Sequence, residues 1–209
     1  MQTNSQPIPQ LPLTRLPLAS SCGQKMEAIL RLKMEGVPQR NFLPRGLCYW
    51  NVDGLVRHHG GSAVTGWQCL WWPNHLAVAI HHAVWKKPNG DLVDVTLKEN
   101  SDFSDGTSFC SDASEAVDLS WPMLIPNVFV VLSDHALVGS AVIAFNEKID
   151  AIREAVAYVK QKNGTFIPGA GLTLPSGAMP RAIQNRVRKA NANHDRALKD
   201  CEELAKPGA

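Results

Sequence analysis

The stretch from Leu76 to Thr96 constrains this chain more than any other. Leu76 to Trp85 is rich in aliphatic and aromatic residues and predicts a long strand, buried on much of both faces. Lys87-Pro88-Asn89-Gly90 supplies a hairpin turn, and Leu92 to Thr96 is the return strand. If the hairpin closes around Pro88-Asn89, residues near 82 are set against residues near 94 to 96. His81 and His82 cannot both point inward, because neighbours on a strand face opposite sides. His82 is the one that strand pairing brings to Asp94.

A second feature lies upstream. Cys48, Val52, Leu55 and Val56 fall at i, i+4, i+7 and i+8, which predicts a helix from about Leu47 to His59, stopped by Gly60-Gly61. Gly54 inside it weakens the helix by roughly 1 kcal/mol relative to Ala. Cys48 would open that helix, where the dipole and the first backbone N–H groups favour a thiolate. An imidazole completes the activation of such a thiol, and a carboxylate on the far ring nitrogen holds it in place. Cys48, His82 and Asp94 are therefore the candidate nucleophile, base and orienting residue. The Cys48 N–H is the candidate oxyanion donor. Asn51, Trp67, Trp71 and Trp72 are expected to contact substrate, with Trp71-Trp72 before Pro73 read as a loop that lines a cleft. Each assignment has a plainer competitor: Cys48 as a small buried hydrophobe, His82 as a core histidine, Asp94 as support for the turn.

The remaining chain is read as an α+β fold: a helix bearing Cys48, packed on a small antiparallel sheet, with extra helices towards the C-terminus. Residues 1–21, rich in Gln, Pro, Ser and Thr, are expected to form a disordered arm. Residues 22–162 form the domain, starting with a helix near 23–35 and a loop from Asn41 to Gly46. Within it, 97–120 is a polar surface excursion, Val128 to Leu132 a strand, and Ser140 to Lys162 a helix with Ile143, Ile149, Ile152, Val156 and Val159 on its apolar side. Residues 163–209 are a Gly/Pro-rich linker and a charged, solvated helical tail, with 180–205 a candidate surface for a protein partner.

Composition narrows the class. A formal net charge of +2 on 209 residues gives no reason to expect nucleic acid as a partner. No uncharged apolar run is long enough to cross a bilayer, so no membrane association is expected. The N-terminal stretch lacks a basic and then apolar signal. Five scattered cysteines with no C-x-x-C pair fit neither a disulfide framework nor a zinc ribbon, and point to a reducing, cytoplasmic setting. A metal alternative would draw on His58, His59, His75, His81 and His82 with Cys48 or Cys69, at no diagnostic spacing. No cofactor and no metal are expected.

The motifs Cys48-x-x-Asn51-Val52, Gly60-Gly61, Gly66-Trp67, His82-Ala-Val-Trp85 and Gly90-x-Leu-x-Asp94-Val-Thr96 resemble those of a family of uncharacterised bacterial and phage proteins. Their order also looks like the papain-like group, which includes transglutaminase-like and NlpC/P60 enzymes. The resemblance covers residues 45–135. It implies a papain-like or transglutaminase-like core in which Cys48 is nucleophile, His82 base and Asp94 orienter. The expected activity is that of a cysteine hydrolase or acyltransferase acting on an amide bond through a thioester, with a protein, peptide or small amide as substrate. The alternatives are a catalytically inactive binding or inhibitor module on the same fold, and a zinc-binding protein.

Overall fold

The computed structural model describes residues 11–97 and 106–205. In chain order its elements are β1 (Thr14–Arg15), α1 (Ser21–Leu30), β2 (Glu35–Val37), β3 (Gln39–Leu43), α2 (Cys48–His59), β4 (Ser62–Trp72), β5 (Leu76–Lys86), β6 (Leu92–Thr96), β7 (Thr107–Ser111), β8 (Val128–Val131), α3 (Ala136–Gln161), β9 (Thr165–Ile167), β10 (Gly171–Thr173) and α4 (Arg181–Leu204). The fold is α+β with a mostly antiparallel sheet and, among the described residues, four helices. None of these helices is long and apolar enough to cross a membrane.

The centre is the β4–β5 hairpin, an unbroken antiparallel ladder from Ser62↔Lys86 to Trp72↔Leu76. β7 joins β4 at residues 66–69, and β6 joins β5 at Trp85↔Val93 and Lys86↔Leu92. β2 then pairs with β7, while β3 pairs, in parallel, with β6. β2 and β3 are one chain segment separated only by Pro38, whose carbonyl accepts from the Asp94 N–H at 2.9 Å. The two ends of the sheet thus meet in a single strip, and the sheet curls into a small barrel. Because side chains alternate along each strand, Val64, Val84, Leu92, Phe109 and Val37 pack together as its apolar interior.

Helices cover the remaining faces. Cys22 and Met26 of α1 pack on Trp67, Cys69, Ala77 and Ala79, and Cys48, Tyr49 and Val52 of α2 on Ala83, Val93 and Val95 of the same side. On the opposite side, beyond the barrel, Trp72 and Leu76 pack with Val138 and Ala141 of α3 and Cys201 of α4.

Several expectations change here. The second half of the arm is structured: β1 adds to β4, and Leu16 is fully buried against the α1 cluster. Its first ten residues lie outside the described residues. The loop expected at 41–46 is in part β3. The polar excursion contains β7, with Thr107, Ser108, Phe109 and Cys110 all buried; residues 98–105 of it lie outside the described residues. Trp71-Trp72 is the end of a strand, with Pro73 starting the turn after it. On α3 the buried stripe is largely alanine (Ala141, Ala144, Ala151, Ala155) with Val156 and Val159, while Ile143 is exposed. The tail is not solvated all round: Ala190, His194, Leu198 and Cys201 of α4 are buried, and Ala197 and Leu204 pack beside Trp72. Residues 163–180 include the short β9–β10 hairpin, whose Phe166 ring sits 5.6 Å from that of Trp50. Residues 206–209 of the expected tail lie outside the described residues.

Two glycines separate local propensity from packing. A methyl on Gly66 would run into the Cys110 carbonyl and the Phe109 ring, whereas one on Gly54 meets nothing within 4 Å. In urea unfolding, Gly66→Ala is expected to cost about 2–3 kcal/mol through overpacking. Gly54→Ala is expected to stabilise by about 0.5–1 kcal/mol through helix propensity.

Candidate active site

Cys48 opens α2, as the apolar spacing predicts. Gly46, at φ +75°, turns the chain just ahead of the helix, and Leu47 is an N-cap without a side-chain cap bond. By position, the N–H groups of Cys48 and Tyr49 are among the four that a helix does not satisfy from within itself. The helix start is held by Asn51, whose amide donates to the Pro44 carbonyl at 2.7 Å and to Thr96 Oγ1 at 3.1 Å. Arg57, His58 and His59 occupy the last turn, where positive charge suits the dipole.

His82 and Asp94 meet, but not by the expected strand pairing: the β5–β6 ladder ends at Trp85↔Val93, β6 then turns to β3, and the two side chains meet across the barrel interior. His82 Nε2 donates to Asp94 Oδ2 at 3.0 Å, with the two side chains 6% and 0% exposed. Thr107 Oγ1 is 2.7 Å from the same carboxylate oxygen and 2.8 Å from Gln39 Oε1, and the Thr96 N–H donates to Oδ1 at 3.2 Å. Gln39 Nε2 in turn donates to the carbonyls of Asp94 and Thr96. The carboxylate therefore lies inside the barrel with several polar partners, which offset the cost of burying it. Nε2 faces the carboxylate, so Nδ1 is the ring nitrogen on the side of the imidazole away from Asp94.

His81 is engaged differently. Its Nδ1 lies 2.6 Å from Tyr49 Oη, its ring stacks on that of Tyr49, and Trp67 packs edge-on at 5.1 Å. Burial pushes the Tyr49 phenol well above its ordinary pKa, so the hydroxyl stays protonated and donates. His81 Nε2 is buried without a hydrogen-bond partner. Burial lowers the His81 pKa, against the opposing pull of Asp112 and Glu115. The strand alternation thus sends one histidine to the carboxylate and its neighbour to the aromatic residue beside Cys48.

These groups share one cavity of about 530 Å³. Its wall includes Cys48 and Tyr49 from α2, His81 and His82 from β5, and Thr96 at the end of β6. The edge of β5 explains the position: β8 pairs with residues 76–79 and β6 with residues 85–86. Among the described residues, 80–84 have no ladder partner on that edge. The cavity lies along this gap.

The other expected contacts lie elsewhere. Asn51 is buried and spends its amide on the chain itself; it does not line the cavity. Trp67 donates from Nε1 to Asp112 Oδ2 at 2.9 Å, Trp71 packs beside α1, and Trp72 is core against α3 and α4. All three tryptophans lie outside the cavity wall, although Gln68 and Leu70 of the same strand line it. Sequence reasoning missed Thr107, Gln39, Tyr49 and Gln68. The β-prone run Thr107-Ser-Phe-Cys110, and Tyr49 directly after the cysteine, were the available signals. Among the described residues, no three His, Cys, Asp or Glu side chains are grouped to hold a metal ion.

Compared with known proteins, the chain matches no family model, no curated protein and no solved structure.

The buried histidines set a pH dependence. His194, on α4, also has a pKa lowered by burial, reinforced by Lys148. For both, the folded state prefers the neutral ring, so their contribution is present above the unfolded value near 6.5 and is lost as pH falls through the lower folded value. The denaturant midpoint should therefore drop as pH falls from 7.5 towards 5. His81→Gln, which keeps an acceptor for Tyr49, should make that drop smaller.

Proposed function

We propose that this chain is a cysteine-dependent hydrolase or acyltransferase of papain-like architecture, acting on an amide bond through a thioester on Cys48. One observation carries the reading. A buried His82–Asp94 pair at 3.0 Å contributes its histidine to the same cavity wall as a cysteine at a helix start.

In this reading His82 Nδ1 takes the Cys48 proton while Asp94 holds Nε2 and stabilises the imidazolium. The sulfur attacks the carbonyl carbon, and the developing oxyanion faces the N–H groups of the first turn of α2. The tetrahedral species collapses, the C–N bond breaks, and the imidazolium gives its proton to the leaving amine. Water then hydrolyses the thioester, or an amine accepts the acyl group. The remaining cysteines are poor rivals for this role. Burial raises the pKa of Cys22 and Cys201, and the hydrogen bond that Cys69 donates to Cys110, followed by burial, raises that of Cys69. Cys110 is lowered by the same bond but is fully buried. Five free thiols suit a reducing compartment, the cytoplasm in this proposal. The inactive-module alternative loses part of its motivation, since the tail thought to offer a binding surface packs partly into the core.

Iodoacetamide at pH 6.5 is expected to alkylate Cys48 ahead of the other four cysteines, as read by peptide mass mapping. Cys48→Ala should abolish the fast phase, and His82→Ala should slow it by about 10²-fold, the scale of a lost general base. Equal modification of all five cysteines would refute the assignment.

A further inference from the structure

The cavity wall is not confined to the residues around Cys48 and His82. It also takes Leu13, Leu70, Ile80, Ile125, Phe145 and Leu198, contributed by the β1 approach, both central strands, the β8 approach, α3 and α4. Beyond His81, His82 and Thr96, the polar side chains of the wall are Arg45, Gln68, Asn127 and His194. Of these, Gln68 is 6% exposed with its Nε2 lacking a hydrogen-bond partner, and His194 Nδ1 is engaged by Lys148 and Asp195 at 3.3 and 3.4 Å. A volume of about 530 Å³ is within the range of small-ligand sites, roughly 300–1,000 Å³.

A peptide main chain brings a donor and an acceptor per residue, each costly to bury without a partner. Apart from the β5 edge at 80–84 and the polar side chains just named, this wall is aliphatic and aromatic. A methylene chain asks for none and gains from every carbon it removes from water. We infer that the substrate's acyl half is a straight aliphatic chain, seated between the β4–β5 face and α3–α4 with its carbonyl at Cys48. The inference rests on Cys48 being the nucleophile of the proposed reaction. The step balances without a co-reactant other than water. Sulfur bonds to the acyl carbon as the C–N bond breaks and the amine takes the proton from His82. Water then releases the carboxylate and restores the thiol.

The parent protein would be assayed with p-nitroanilides of acetate, hexanoate and decanoate and of N-acetyl-leucine. In parallel, Cys48→Ala would be titrated calorimetrically with the three carboxylates. kcat/KM and carboxylate affinity are expected to rise on the order of tenfold per two added carbons until the cavity is filled. Leu198→Trp, and independently Ile149→Trp on the same cavity wall, should lower the decanoyl-to-acetyl rate ratio at least tenfold. Rates flat with chain length, or N-acetyl-leucine outrunning decanoate, would overturn the acyl-chain assignment while leaving Cys48 catalysis standing. If no anilide turns over and Cys48 also resists iodoacetamide, the catalytic reading itself fails. A chain-length gradient in the calorimetry would then still support an acyl site, and its absence would remove that too.

Discussion

The structure turns on a buried carboxylate. Asp94 is fully enclosed in a barrel whose other interior side chains include Val37, Val84 and Phe109. An isolated charge there would cost far more than the whole net stability of a domain. It is tolerable because His82, Thr107 and the Thr96 N–H converge on it, with Gln39 tying Thr107 and two β6 carbonyls into the same network. Those partners come from four different strands. The carboxylate therefore fixes how the sheet curls as well as how the imidazole is turned.

That curl leaves a seam. β6 follows β5 for two residue pairs and then departs to meet β3, while β8 takes the far end of β5. The stretch of edge left between these two ladders is where His81 and His82 reach the cavity and where the start of α2 is set down. Asn51 links that helix start to Thr96 and to the Pro44 carbonyl, so α2 and the end of β6 are positioned as a unit. The two histidines illustrate how a strand sorts adjacent identical residues. One goes to the carboxylate inside, the other to Tyr49 outside, and only the first has its Nε2 held by a carboxylate.

Much of this was legible in the sequence, and the pattern of success is physical. The 48/52/55/56 spacing with Gly60-Gly61 marks α2 because local periodicity and a glycine stop act within one turn. The Pro88-Asn89-Gly90 turn marks the β5–β6 hairpin because a hairpin is the most local of tertiary contacts, but its ladder ends at Trp85↔Val93, and His82 reaches Asp94 through their side chains. What failed was non-local or disguised. Residues 35–43 close the barrel, but Pro38 and the polar Gln39, Arg40 and Asn41 hide them as a loop. β7 sits inside a Ser- and Asp-rich stretch. α4 buries Ala190, His194, Leu198 and Cys201 at helical spacing, yet its charged majority and small buried groups read as a solvated tail. The tryptophans misled for the opposite reason: Pro73 suggested a loop one residue pair too early, and large aromatic rings that looked like ligand surface serve as packing.

In the proposed mechanism His82, oriented by Asp94, holds Cys48 as a thiolate. Thiolate absorbance near 240 nm, followed against pH in the parent and in His82→Ala, tests it most directly. One thiol of the five is expected to be ionised already at pH 6 in the parent, and this signal to move to the ordinary thiol range near 8.5 in the variant. A parent titration with no ionised thiol below pH 8, identical in the two proteins, would contradict it.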